Sequence, residues 1–140
     1  MKILFFYICC LILFSCHGFS GIQSEHVVGD FYVATVDKVR ERQDLVRIKN
    51  GESSGSVVER MVYAVWNNDD VIIVKQHPAV GDWKVDEDVT NYFIVIVDKT
   101  DTDECFYNDS VIGPLDDNMF EQSVKELGIK EKIVFREVNL

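Results

Sequence analysis

The sequence predicts an α+β domain in which an antiparallel β-meander sheet packs against one C-terminal α-helix. From Asp30 onward, short β-branched and aromatic segments alternate with turn residues, which is typical of strands. One amphipathic helical pattern follows Pro114. The sequence has no internal repeat and no low-complexity segment. We therefore expect residues 30–140 to form a single globular domain.

Most of the predicted strands are joined by recognisable turns. Asn50-Gly51 follows a short alternating segment and is a strong hairpin signal. Residues 67–70 have short polar side chains and separate a strand predicted over 57–66 from one over 71–75. The segment 92–97 is apolar on both faces, so we expect it at the centre of the sheet. The remaining strands are predicted over 30–36, 106–107, 111–112 and 133–135.

The predicted helix begins after Pro114, and Gly128 marks its end. Asp116 or Asp117 can accept hydrogen bonds from the free N–H groups of the first turn. The negative charge of either residue also interacts favourably with the positive end of the helix dipole. Apolar residues then recur at i, i+4 and i+7, so we expect one face of the helix to pack on the sheet. That face consists of Phe120, Val124 and Leu127.

The N-terminus has the pattern of a secretory signal peptide. Lys2 precedes an uninterrupted apolar run over residues 3–14, and small or polar residues follow it. A spanning helix needs about 20 apolar residues to cross roughly 30 Å of hydrocarbon, so this run is too short. We expect residues 1–15 to be a signal peptide that is removed on export.

The residues around the expected cleavage site predict a lipid anchor. Leu13-Phe14-Ser15-Cys16 resembles the bacterial lipobox, in which cleavage comes directly before a cysteine that carries the lipid. Phe14 is bulkier than the usual small residue at its position. Cleavage after Gly18 is the alternative and would release an unmodified chain. We expect lipidation at Cys16, with residues 16–29 forming the lipidated N-terminus and a flexible tether.

An anchor at Cys16 predicts where the domain lies. Two or three acyl chains hold a protein at a membrane without help, because each buried CH₂ contributes roughly 0.8 kcal/mol. The expected location is therefore the cell membrane or the outer membrane of a bacterium, reached by export. With cleavage after Gly18 the protein is instead secreted or periplasmic and soluble. In the anchored case the domain needs no membrane-binding surface of its own.

Cysteine count and charge exclude several classes of function. Cys9 and Cys10 leave with the signal peptide and Cys16 is lipidated, so only Cys105 remains. A disulfide framework and a cysteine-rich metal site are thereby excluded. The chain has 24 acidic against 14 basic residues and a formal net charge of −10. Such a chain repels phosphate backbones, so we expect no nucleic-acid partner.

One catalytic motif is present in outline. Gly51-Glu52-Ser53-Ser54-Gly55 matches G-x-S-x-G, the nucleophile elbow of α/β-hydrolases, which needs a strand-to-helix turn and a later histidine. Here strand character resumes at residues 56–59, and His77 is the one histidine that follows. We interpret the segment as a Gly/Ser loop between two strands. A small hydrolase that uses Ser53 or Ser54 with His77 is the enzymatic alternative.

The sequence predicts neither a metal nor a cofactor. Carboxylates in the segment 98–104 could suggest calcium, but the glycine that an EF-hand loop starting at Asp101 requires at its sixth position is Phe106. The glutamate required at its twelfth position is Ile112. The three histidines have no metal-ligand spacing.

Several segments together resemble an uncharacterised domain family of small bacterial lipoproteins. The resemblance runs from about Asp30 to Leu127 and implies a compact domain at a membrane surface. It implies no activity and no catalytic residue. The segments are Val62–Asn67, Val71–Pro78, Asn91–Val95, and Gly113-Pro114-Leu115 with Phe120.

These observations predict a membrane-anchored bacterial envelope lipoprotein without enzymatic activity, whose exposed loops bind a protein or another envelope component. The membrane is a partner through the lipid at Cys16. The hydrolase with Ser53 or Ser54 and His77 is one alternative. An inhibitor or immunity-type protein that blocks an envelope enzyme is another. The oligomeric state is not predicted.

Overall fold

The structure is a computed structural model that describes residues 23–37, 42–81, 84–99 and 110–140. The first half of the described chain contains the strands β1 (Ser24–Val28), β2 (Phe31–Asp37), β3 (Arg42–Lys49), β4 (Glu52–Val58), β5 (Val62–Asn67) and β6 (Val71–Gln76). The second half contains β7 (Ala79–Val80), β8 (Lys84–Val85), β9 (Asn91–Ile96), β10 (Ser110–Leu115), the helix α1 (Asp117–Glu126) and β11 (Arg136–Glu137).

The strands form two main antiparallel sheets. The first has the order β1-β2-β3-β4, and the second has the order β10-β9-β6-β5-β11. The strands β7 and β8 form a separate hairpin. Buried side chains from both main sheets share one cluster, and α1 packs on the opposite face of the second sheet. The layers are therefore first sheet, second sheet and helix.

The predicted α+β fold with a single meander sheet is wrong, because the domain is mostly β and has more than one sheet. The strand predicted over 57–66 is in fact two strands, β4 and β5, in different sheets. Arg60 and Met61, with φ angles of 63° and 52°, lie between them and turn the chain from one sheet to the other. Neither residue is a usual turn former, so the sequence contains no signal for this change of sheet.

The last strand also departs from a meander. The predicted strand over 133–135 lies slightly later, at β11, where Arg136 pairs with Val65 and Glu137 with Ala64. The chain therefore leaves β10, forms the helix and returns to the far edge of the second sheet. No local sequence pattern indicates this pairing, because β5 and β11 are far apart in the chain.

The N-terminal boundary of the domain lies earlier than predicted. Residues 24–28 of the expected tether 16–29 form β1, which pairs with β2 from Ser24↔Ala34 to Val28↔Phe31. The Thr35 N–H also donates to the Gln23 carbonyl at 2.9 Å. This segment is polar apart from its valines, and its alternation is too short to show in the sequence. The folded part consequently begins close to residue 23.

Two turns are confirmed where the sequence marked them. Asn50 and Gly51 have φ angles of 55° and 82° and join β3 to β4, as a turn with two positive φ angles requires. Between β5 and β6, the Asn68 side-chain oxygen accepts hydrogen bonds from the N–H groups of Asp70 and Val71, each at 2.9 Å. Both turns use the local chemistry of asparagine and glycine.

The second sheet is buried on both faces. In β6, Ile72 and Val74 lie in the cluster between the sheets, whereas Ile73 lies in the cluster under the helix. In β9, Val95 lies between the sheets and Ile94 lies under the helix. The predicted central position of this apolar segment is thus confirmed, since β9 lies between β6 and β10.

The helix follows the predicted capping pattern with one exception. The Asp116 Oδ1 atom accepts a hydrogen bond from the Met119 N–H at 2.8 Å, and Phe120 and Val124 pack under the helix. Leu127 is instead 39% exposed and ends the helix, while Ile129 packs beyond it. Within the described ranges, no helix has the length and apolarity that crossing a membrane requires.

Candidate functional site

The strands of the domain run between two ends, the N-terminal pole and the turn pole. The N-terminal pole is the end where β1, β3, β5 and β9 begin, and the turn pole is the opposite end. The N-terminal pole is marked by Gln23, Met61, Gln76 and Asn91. The turn pole is marked by Gly29-Asp30, Asn50-Gly51 and residues 68–70.

The serines and the histidine of the hydrolase alternative lie at different poles. Ser53 pairs with Ile48 near the turn pole, whereas the His77 N–H donates to the Met61 carbonyl at the N-terminal pole at 3.2 Å. The four residues from Ser54 to the end of β4 alone span about 13 Å, since a strand rises roughly 3.3 Å per residue. A hydrogen bond between either serine and the histidine would require them within about 3.2 Å.

The Gly/Ser segment itself is a strand and not the predicted loop. Residues 52–55 belong to β4, the edge of the first sheet, and no helix follows them. The Ser54 hydroxyl donates to the Arg47 carbonyl at 3.1 Å. The Ser53 hydroxyl oxygen accepts from the Gly55 N–H at 3.4 Å. The segment therefore lacks the strand-to-helix turn by which a nucleophile elbow exposes its serine.

His77 belongs to a small aromatic cluster at the N-terminal pole. Its ring stacks on Tyr63, with ring centroids 4.1 Å apart and planes 9° apart. Its Nδ1 atom lies 3.0 Å from the Val89 carbonyl and donates to it, because a carbonyl oxygen only accepts. The Tyr63 hydroxyl is 2.8 Å from the Thr90 hydroxyl. This cluster fixes both ends of the segment 78–89, which contains β7 and β8.

A buried carboxylate lies between the first sheet and the link to the second. Asp44 is 0% exposed, and its two oxygens accept from the Arg42 guanidinium at 3.1 and 3.0 Å. They also accept from the Ser56 hydroxyl at 2.5 Å and from the Arg60 N–H at 2.8 Å. With four donors the carboxylate is fully paired, and it holds the left-handed turn that ends β4. Its burial points to a structural role.

Aromatic rings fill the space between the second sheet and the helix. Tyr92 stacks on Phe120 at 4.2 Å, and Phe135 lies 6.2 Å from Tyr92. The Lys75 ammonium lies 4.4 Å from the Phe135 ring centre, within cation–π range. Burial, followed by a hydrogen bond to Asp117, raises the pKa of Tyr92 to about 12. The fold thereby favours the neutral phenol over the phenolate.

The described residues contain no group of three metal-binding side chains. Asp98 is described, but Asp101, the other carboxylates of the predicted calcium segment and Cys105 lie outside the described residues. The predicted strand over 106–107 does as well. The Lys99 ammonium, in the last described residue before this gap, lies 2.6 Å from an Asp70 oxygen of the β5–β6 turn. The predicted lipidation site, Cys16, also lies outside the described residues.

A family model for a protein of unknown function, DUF3997, matches residues 29–139. The chain belongs to the DUF3997 family. The match spans almost all of the two-sheet domain described above, so it confirms an uncharacterised domain family as the sequence predicted. No curated protein and no solved structure matches the chain.

Two features of this DUF3997 domain were not predicted from the sequence. The Asp44 cluster joins residues that are far apart in the chain, and an acidic residue inside a short strand resembles many solvent-facing ones. The stacking of His77 on Tyr63 depends on the pairing of β5 with β6. The one available signal was His77-Pro78. A proline directly after a strand ends the hydrogen bonding of that strand and restricts the backbone conformation of the residue before it.

Proposed function

We propose that this DUF3997 protein is a bacterial envelope lipoprotein, anchored through lipid at Cys16, whose domain binds a protein or envelope component without catalysing a reaction. The observation that carries the proposal is the sequence Leu13-Phe14-Ser15-Cys16 at the end of an apolar run, only seven residues before β1. A folded domain that starts so soon after the cysteine fits a protein displayed on a membrane.

The geometry of the described residues supports binding over catalysis. Ser53 and Ser54 are held by backbone hydrogen bonds at the turn pole, and His77 is occupied by Tyr63 and the Val89 carbonyl. A hydrolytic serine needs a base within hydrogen-bond reach, and its base needs an orienting partner. A serine-directed fluorophosphonate probe is therefore expected to leave the purified protein unlabelled, and labelling that Ser54→Ala abolishes would contradict the proposal.

Intact mass and metabolic labelling with a fatty acid test the anchor directly. The full chain is expressed in a bacterium, and its mature N-terminus is expected to be an acylated Cys16. Cys16→Ala should abolish the labelling and release the protein from the membrane fraction. Cys10→Ala, a change of the same kind inside the apolar run, is the matched control and should retain both. An unmodified mature chain that begins at Phe19 would contradict the proposal.

The partner is sought with the same protein in place. Crosslinking of intact cells that carry the anchored chain, followed by mass spectrometry, should recover a protein enriched over a control lipoprotein of unrelated fold. The enrichment should persist for His77→Asn, because the proposal assigns this histidine no chemistry. Failure to enrich any envelope component, despite confirmed acylation, would contradict the binding role while leaving the anchor intact.

A further inference from the structure

One asparagine of the chain stands directly before a glycine, and this pair, Asn50-Gly51, forms the turn between β3 and β4. Lys49 and Glu52 pair across the hairpin on either side of it. Both turn residues are exposed and have positive φ angles of 55° and 82°. The pair therefore lies on the surface of the turn pole, where strand pairing fixes only its two ends.

The Asn50 side-chain amide is free within the described part of the chain, because no hydrogen bond or ion pair there involves it. Among the same residues, the Gly51 N–H has no backbone acceptor. A Cβ atom added to Gly51 would meet no atom within 4 Å, so the space beside this residue is open. The side-chain carbonyl carbon of Asn50 and the backbone nitrogen that follows it are thus accessible to water and free of other partners.

Asn68, in the other asparagine turn of the same pole, has several partners instead. Its side-chain oxygen accepts hydrogen bonds from the Asp70 and Val71 N–H groups, each at 2.9 Å. Its Nδ2 atom donates to Glu131 at 3.5 Å. Asp69 follows it and has a side chain beside the next backbone nitrogen. The two turns therefore contain the same residue type, once with a free amide and once with a hydrogen-bonded one.

From this difference we infer that Asn50 is a site of chemical modification in the folded protein, where its side-chain amide is converted to a carboxylate through attack by the Gly51 nitrogen. Glycine favours this reaction because it has no side chain that hinders the approach of its backbone. The inference does not rest on the proposed anchor or binding role, since it depends on the turn alone.

The reaction needs water as its one co-reactant. The Gly51 nitrogen loses its proton and forms a bond to the side-chain carbonyl carbon of Asn50. The bond from that carbon to the amide nitrogen breaks, and the leaving group takes up the proton and departs as ammonia. Water then opens the resulting cyclic imide at either carbonyl and gives aspartate or isoaspartate at position 50. The new carboxyl group passes its proton to the ammonia, so atoms and charge balance without an oxidant or a reductant.

The two products change the hairpin differently. Aspartate before glycine is itself a preferred two-residue turn, so this product retains the pairing of Lys49 with Glu52 and adds one negative charge. Isoaspartate continues the main chain through its side-chain carbon and lengthens the turn by one carbon atom. Because loop length and turn type set the register of a hairpin, isoaspartate should weaken the pairing of β4, the edge strand of the first sheet.

Peptide mapping of the aged protein tests the site. The purified chain is incubated in a mildly alkaline buffer, which promotes loss of the Gly51 proton, and its proteolytic peptides are followed over time by mass spectrometry. Conversion should be at least about tenfold faster at Asn50 than at Asn68, because Asn68 must first lose hydrogen bonds that Asn50 does not make. Conversion that is absent at Asn50, or no faster there than at Asn68, would overturn the inference.

Asp69→Gly separates the effect of the free amide from the effect of the following glycine. In this variant both asparagines stand before glycine, and Asn68 keeps its donors because they are backbone N–H groups. Asn50 should still react several-fold faster in the folded protein, whereas the two rates should become equal in urea. Equal rates in the folded protein, or a difference that survives in urea, would contradict the structural basis of the inference.

Asn50→Asp is the matched reference for the product. The peptide that contains residue 50 should then show no change of mass, while conversion at the other asparagines continues at an unchanged rate. Chromatography against synthetic peptides divides the product of the unsubstituted chain into aspartate and isoaspartate. A change of mass that persists in Asn50→Asp would place the modification at another residue and overturn the inference.

Discussion

The two main sheets are stabilised in different ways. The second sheet has consecutive fully buried apolar residues, such as Ile72 and Ile73, because the first sheet covers one of its faces and the helix covers the other. The first sheet also buries consecutive residues in β3, where Leu45 lies in the cluster between the sheets and its neighbours Asp44 and Val46 are buried as well. Its edge strand β4 is exposed and polar over residues 52–55. At the N-terminal pole it relies on a buried charge, Asp44. The buried residues of the second sheet are thus recognised in the sequence by apolar runs, whereas those of the first sheet include a paired carboxylate.

The largest expected effect tests the polar network of the first sheet. Asp44→Ala leaves the Arg60 N–H without its acceptor and removes the carboxylate that pairs with Arg42, so the free energy of unfolding should fall by about 3–5 kcal/mol. Asp44→Asn keeps the size and one acceptor oxygen and should cost less. Urea denaturation measures both. An unchanged stability in Asp44→Ala would show that the network contributes nothing.

A second prediction tests whether both faces of the second sheet are covered. Ile72→Ala opens a cavity between the sheets, and Ile73→Ala opens one under the helix. Each should lower the free energy of unfolding by about 2–5 kcal/mol, the usual cost for a fully buried isoleucine. The matched comparison lies within one strand, because the two residues are neighbours. If one variant lost less than about 1 kcal/mol, its face would not be packed.

A third prediction tests the contribution of the N-cap residue, Asp116, to the stability of helix α1. Asp116→Ala removes the acceptor of the Met119 N–H and should cost about 1 kcal/mol. Glu121→Ala changes an exposed side chain in the middle of the same helix and serves as the control, with an effect within about 0.5 kcal/mol. Thermal unfolding followed by circular dichroism compares the two. Equal losses would mean that Asp116 does not cap.

The smallest expected effect is a pH dependence under the helix. The pKa of the Tyr92 hydroxyl rises from its ordinary value of 10.0 to about 12 in the folded protein, so folding favours the neutral form of this side chain. Its contribution is therefore complete below pH 10 and is lost as the pH rises from 10 towards 12. Tyr92→Phe should flatten this decline. Denaturant midpoints measured across this range decide the point.

Prediction from sequence succeeded where the signal was local. The Asn50-Gly51 turn, the Asn68 turn and the Asp116 cap each depend on residues within a few positions of one another. The apolar segment of β9 was correctly predicted to be central, because burial on both faces needs no information about neighbours. The sequence could not show that Ser53 and Ser54 lie far from His77, because this distance depends on how the chain folds into two sheets.

The sequence by itself determined the Asn50-Gly51 and Asn68 turns, the apolar segment of β9, the helix with its Asp116 cap, and the acidic composition of the chain. The export signal with Cys16 stays a prediction. Tertiary structure alone decided that the strands divide into two sheets at Arg60 and Met61, and that β11 returns to β5. It also decided that Asp44 is buried and paired. The physical reason is that turns, caps and apolar periodicity are local interactions, whereas sheet order and buried charge depend on contacts between residues distant in the chain.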